Sequence, residues 1–207
     1  MVSAEPILMA RGLRLRFGRR RVLDGIDLDL FPGQVLGIAG ENGCGKTTLI
    51  RVLAGMLLPS GGIVRRPEAT GYAPQVPLLF DHLSPREHFR YFAAAHDIPG
   101  HLRRDRAKSL LQKLRFEAWE SERVSTLSEG TRQKLNLALA LLSDPAVLLL
   151  DEPYAGFEWD TYLRFWDYLQ EIRATGKAVI LVSHLFYERS KFDRLFELEA
   201  GTLREAS

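Results

Sequence analysis

The sequence predicts an α/β fold whose core is a mostly parallel β-sheet, with an antiparallel β subdomain at the N-terminal side and a helical insertion. Three observations carry that reading. The runs VLGIAG (35–40), AVLLLD (146–151) and AVILVSH (178–184) are short and continuously apolar, which fits strands covered on both faces. Between Leu8 and Leu30 the pattern alternates instead, with Ile26, Leu28 and Leu30 on one face and Asp27 and Asp29 on the other, as in half-buried antiparallel strands. From Asp81 to Ser143 no strand-like run occurs, and the chain reads as successive helices.

Taken in order, the first buried run leads into KTTLIRVLAGML (46–57), a helical stretch. SPREHFRYFAAAHD starts a helix with Ser84 as cap, Pro85 at the first helical position and Glu87 three residues after the cap, the pattern of a capping box. HLRRDRAKSLLQKLRF (101–116) is a second helix with a basic face. In TLSEGTRQKLNLALALL (126–142), Leu135, Leu139 and Leu142 share one helical face behind Ser128 as N-cap. The amides after Ser128 are suited to an anion. ELEAGTLRE (197–205) reads as a hairpin turning at Ala200 and Gly201. Each buried run ends in glycine or polar residues, so the chemistry is expected at the carboxyl edge of the sheet. One domain over residues 1–207 is expected, with a core of 1–80 and 144–207 and a helical subdomain of 81–143.

Composition narrows the function classes. Twenty-eight basic against twenty-six acidic residues give a net charge of +2, too balanced to announce a nucleic-acid binder. Arg11, Arg14, Arg16, Arg19, Arg20 and Arg21 form a local cluster that fits the solvated face and turn of a hairpin. No apolar run reaches the eighteen or so residues of a membrane span, and no secretory pattern opens the chain. A cytosolic location is expected. The single cysteine, Cys44, excludes an internal disulfide, and the histidines lack metal-ligand spacing with one another or with it.

GENGCGKT (40–47) has the pattern G-x-x-x-x-G-K-[ST] between a buried strand and a helix, the context that gives the motif its meaning. Gly40, Gly43 and Gly45 let the backbone bend so that successive amides face phosphate oxygens. Lys46 supplies a point charge between the β- and γ-phosphates, and the Thr47 hydroxyl is suited to Mg²⁺. VLLLDEP (147–153) then sets two carboxylates at the end of a buried strand. Asp151 is placed to hold Mg²⁺ through water, and Glu152 to orient or deprotonate an attacking water.

In that order, GENGCGKTT, YAPQ, LSEGT, VLLLDEP and LVSH resemble the motif series of the ATP-binding cassette ATPases, over essentially the whole chain. The resemblance implies a P-loop NTPase fold with a RecA-like sheet, binding ATP and Mg²⁺. The nucleotide would lie on Gly40, Glu41, Asn42, Gly43, Cys44, Gly45, Lys46, Thr47 and Thr48, with Phe17 stacked on adenine. Gln75 would stand near the metal beside Thr47 and Asp151, and His184 would bond the γ-phosphate. Ser128 and Gly130 would close over the ATP of a second cassette, in a homodimer or heterodimer with nucleotide sandwiched between the subunits.

A separate transmembrane permease subunit is implied, with this chain on the inner face of the membrane and no nucleic acid as partner. Exporters of drugs and lipids are the branch it resembles. Two departures stand out: Glu129 and Thr131 replace Gly and Gln of the family's LSGGQ, and Phe157 and Glu158 follow Gly156 where Leu-Asp is usual. A soluble cassette acting on nucleic acid or ribosomes, or a nucleotide-binding regulator with little turnover, are the alternatives.

Overall fold

The computed structural model describes residues 5–184, 186 and 188–206. The ends of the expected domain, residues 1–4 and 207, lie outside them. Nine strands and five α-helices follow one another as β1 (Leu8–Phe17), β2 (Arg20–Leu30), β3 (Val35–Ala39), α1 (Lys46–Leu53), β4 (Gly61–Arg65), β5 (Thr70–Ala73), α2 (Pro85–Ala95), α3 (Gly100–Leu114), α4 (Glu129–Leu141), β6 (Val147–Asp151), α5 (Trp159–Ala174), β7 (Ala178–Ser183), β8 (Arg194–Glu199) and β9 (Thr202–Glu205) among the described residues.

The three continuous apolar runs become β3, β6 and β7, buried along nearly their whole length. They form the middle of a six-stranded sheet of order β5-β6-β7-β3-β8-β9, parallel except for the final antiparallel pair. Each fully buried leucine or isoleucine there contributes about 1.5–3 kcal/mol relative to exposure. The alternating segment pairs as the antiparallel hairpin β1–β2, and β4 adds to the far side of β1. Several N-terminal arginines are matched within it: Arg11 bridges Asp29 at 2.7 Å, and Arg21 bridges Asp24 at 2.7 Å. The last hairpin turns at Ala200 (φ 47°) and Gly201 (φ 80°), the two positive φ values of a type I′ turn.

Two apolar layers hold the sheet. One joins the β1–β2 hairpin and α1 to one face through Leu23, Ile38, Leu49 and Ile180. The other joins the opposite face to α4, α5, α2 and α3 through Leu148, Leu135, Phe165 and Phe89. The helical segment thus shares one core with the sheet.

The first helix corrects the sequence expectation. It stops at Leu53 rather than continuing to Leu57, because Gly55 turns the chain at φ 76° and the amides of Met56 and Leu57 both close back on the Arg51 carbonyl. Strands β4 and β5 also lie outside the sequence reading. Both are short, and β4 is largely exposed, so neither carries a strong apolar period. No helix among the described residues is long and apolar enough to cross a membrane.

Candidate nucleotide site

Four neighbouring strands bring their carboxyl ends to one edge. Register pairs Ala39 with Ser183, Asp151 with Val182 and Ala73 with Leu150, so the segments that follow β3, β7, β6 and β5 lie side by side. Gly40, His184, Asp151 with Glu152, and Gln75 therefore arrive together from distant parts of the sequence. This is a consequence of the parallel ladder, which aligns all strand ends in one direction.

The loop between β3 and α1 is built on left-handed glycines, Gly43 at φ 80° and Gly45 at φ 115°. Helix α1 begins directly on Gly45, has no side-chain cap and carries no acidic residue in its first turn. A helix start of this kind leaves its amides and its positive dipole end to an anion. The Lys46 ammonium, buried within the loop, donates to the carbonyls of Gly40 at 2.7 Å and Glu41 at 3.0 Å. Gly40 has no space for a side chain, since a Cβ there would sit 2.6 Å from the Leu198 carbonyl and 2.7 Å from the Cys44 sulfur. Cys44 accordingly turns inward, half-buried against the core.

Asp151 ends β6 almost fully buried, and neither carboxylate oxygen has a hydrogen-bond partner of good distance and angle. Burial pushes its pKa up, and the charge of Glu152 adds to that; the Thr47 hydroxyl, acting from outside ideal bonding geometry, and the cations of Arg51 and Lys46 oppose it. An orphaned buried carboxylate beside a threonine hydroxyl is a donor set that fits a hard divalent cation.

Glu152 is different. Its backbone is left-handed at φ 49°, an uncommon state for a non-glycine residue and one associated with functional turns. Its carboxylate accepts the His184 amide at 2.7 Å and the Ser183 hydroxyl at 2.8 Å, and His184 Nδ1 lies 3.2 Å away.

A cleft of about 380 Å³ is lined by Phe17, Asn42, Gly43, Gly45, Lys46, Thr47, Thr48, Gln75, Asp151 and Glu152. Phe17, half-exposed at its mouth, presents a ring there. His184 sits in an adjoining aromatic cleft that shares Glu152 and includes Tyr154, Phe157 and Trp159. Ser128 and Gly130 are not part of the cleft. Ser128 caps α4, accepting the Thr131 amide at 3.2 Å, with the two hydroxyls 2.9 Å apart. Thr131 is thus a buried partner of the cap, and Glu129 lies against Gly156.

Four contributors were not read from the sequence. Arg20, counted with the solvated arginines of the hairpin, lines the cleft and donates to the Gly43 carbonyl at 3.3 Å. Ser183 holds Glu152. On α4, Gln133 and Asn136 are buried polar residues, and their signal was available as two amides interrupting an apolar helix.

A parallel sheet with a glycine loop, lysine and threonine at one strand end and paired carboxylates at the next defines a P-loop nucleotide-binding protein. A profile of the ABC transporter family matches residues 23–155. The Nod factor export ATP-binding protein I of Ralstonia nicotianae is 33% identical over 217 aligned positions, covering 97% of this chain and 66% of that protein. The daunorubicin resistance ATP-binding protein DrrA3 of Streptomyces coeruleorubidus is 32% identical, covering 96% of this chain and 67% of the relative. The chain spans about two thirds of the length of these relatives. The dimeric structure of a bacterial ABC transporter cassette superposes with a TM-score of 0.87 over 97% of this chain and 98% of its own, at 21% identity, a likeness of fold. The chain belongs to the ABC transporter family, as an ATP-binding subunit of the ATPase type.

Proposed function

We propose that this chain binds Mg-ATP in the cleft at the carboxyl edge and hydrolyses it in a dimer of cassettes, driving export through a separate membrane-spanning subunit. The observation that carries the reading is the convergence of Lys46, Thr47, Gln75, Asp151 and Glu152 on one cleft, with Asp151 buried and neither of its oxygens in a well-formed hydrogen bond. The names of the relatives, Nod factor export and daunorubicin resistance, support export over uptake.

In this reading the loop amides and Lys46 hold the β- and γ-phosphates, and Lys46 exchanges its two loop carbonyls for phosphate oxygens. Phe17 offers a ring to adenine, and Arg20 braces the loop from the hairpin. Mg²⁺, held by the Thr47 hydroxyl and Asp151 with Gln75 nearby, would neutralise phosphate charge. Glu152 orients the attacking water and accepts its proton; Ser183 and the His184 amide fix which way the carboxylate faces. Gly40, Glu41, Asn42, Gly43, Cys44, Gly45 and Thr48 complete the loop.

Ser128 and Gly130, standing outside this cleft, serve the nucleotide of a second cassette, homologous or identical. Closure on ATP and opening after cleavage then supply the motion passed to the membrane partner, with the cassette peripheral on the inner face of the membrane.

Replacing Glu152 by Gln removes the base while keeping size and most hydrogen bonds. Loss of about 10²–10⁴ in turnover is expected, with ATP still bound. The same variant, tagged and recovered from gently solubilised membranes with Mg-ATP, should bring down a multi-span protein. Turnover unchanged by the substitution would remove the assigned base, and recovery with nucleic acid instead of a membrane protein would remove the transport reading.

A further inference from the structure

Helix α4 carries Gly130, Gln133 and Asn136 at three-residue spacing, and they meet backbone carbonyls of two loops at the carboxyl edge of the sheet, the one after β5 and the one after β6. Asn136 Nδ2 donates to the Pro74 carbonyl at 2.8 Å, the residue before Gln75. Gln133 Nε2 donates to the carbonyl of Glu152 at 3.3 Å, and its own Oε1 lies 3.5 Å from Asn136 Nδ2. Gly130 approaches Gly156 so closely that a Cβ would stand 2.9 Å from the Gly156 carbonyl. Residues at i, i+3 and i+6 form one ridge of a helix, so a single rigid rod touches both loops.

Both amides are buried, Gln133 at 3% and Asn136 at 6% exposure, in a helix otherwise packed by Leu135, Leu137, Leu139 and Ala138. Burying two primary amides in such surroundings is unfavourable unless each is hydrogen-bonded. Leucine or alanine would satisfy packing alone. The carbonyls they meet have a stated need as well: the Glu152 backbone is held left-handed at φ 49°, where peptide orientation is not fixed by a regular ladder beyond its own N–H bond to Val182.

We propose that Gln133 and Asn136 are positioning residues. Through them α4, the helix that begins at Ser128, sets the placement of Glu152 and of the segment carrying Gln75. The consequence is mechanical: any displacement of the Ser128 end by a second cassette's nucleotide is transmitted along one ridge to the catalytic carboxylate of the same chain. This rests on the ATPase reading above for its functional consequence, but the positioning itself is testable without turnover.

Gln133→Met and Asn136→Leu keep volume and remove the amide donors. Amide hydrogen exchange at residues 73–76 and 151–157 should rise at least tenfold in each variant, while residues 40–48 exchange as in the parent chain. In the ATPase assay, kcat should fall at least tenfold, with KM and ATP binding within twofold. The double variant should lose no more than the worse single variant, since the two amides touch. Unchanged exchange at both loops would overturn the proposal, as would a kcat loss matched by an equal loss of ATP binding, which marks general unfolding. If the parent chain shows no Glu152-dependent turnover but exchange responds as expected, the ATPase reading fails and the positioning role stands.

Discussion

Two helix starts in this chain are each suited to an anion by their sequence and are built in opposite ways. Helix α1 begins on a left-handed glycine, without a side-chain cap and without an acidic residue in its first turn. Helix α4 begins on Ser128, whose hydroxyl already accepts the Thr131 amide, and it carries Glu129 in its first turn. The first leaves its amides and dipole to a ligand, and Lys46, Thr47, Gln75 and Asp151 of the same chain line the cleft around it. The second is closed upon itself and stands outside the cleft. The difference teaches that an anion-suited helix start is not one kind of object: one is left open within its own chain's cleft, and the other already carries a side-chain cap and lies apart from that cleft.

The largest effect that sharpens this contrast is expected at the open start. Lys46→Ala removes the one cation within the loop, and ATP turnover should fall by about 10²–10³, with weakened nucleotide binding by the isolated chain. Steady-state hydrolysis together with titration of a fluorescent ATP analogue measures both. If binding survived and turnover alone were lost, the distinction between an open and a capped start would weaken.

A smaller and differently divided effect belongs to Ser128→Ala. Losing the cap should cost about 1 kcal/mol of stability, read by urea unfolding. Turnover should fall at least tenfold while ATP binding by the single chain is unchanged, as the proposed contact in trans requires. Equal loss of binding in the isolated chain would break the comparison.

The smallest effect concerns a third helix start, α2, which lines no part of the nucleotide cleft. Ser84 and Glu87 form a reciprocal capping box there, and His88 one residue on is fully buried. The Phe80 amide donates to His88 Nε2 at 2.9 Å, so Nδ1 carries the proton that bonds the Ser84 carbonyl at 2.9 Å. Burial lowers the His88 pKa, opposed by the Ser84 bond and Glu87. A lowered histidine pKa favours the neutral form on folding, so this contribution is present above about pH 6.5, the unfolded value, and is lost as pH falls towards the folded value. Unfolding free energy should decline below pH 6.5 by at most about 1.4 kcal/mol per pH unit from this group, and His88→Gln should flatten that slope. Mg-ATP should leave the slope unaltered.

What could be read in the sequence was whatever is encoded by neighbours along the chain. The glycine loop with Lys46 and Thr47, the capping box at Ser84 and the turn at Ala200 and Gly201 all depend on contiguous residues and local φ, ψ demands. The continuous apolar runs announced the central strands because a strand covered on both faces admits no polar alternation.

Tertiary structure decided the rest. Arg20 reaches the Gly43 carbonyl across 23 residues, Gln133 the Glu152 carbonyl across 19 and Asn136 the Pro74 carbonyl across 62. No local pattern specifies such partners, which exist only once the parallel ladder has aligned the strand ends and α4 has packed beneath them. The sequence by itself determined which groups are suited to a phosphate; the sheet and α4 decided which of them come together in one chain, because hydrogen bonds act over about 3 Å and only packing brings distant residues that close.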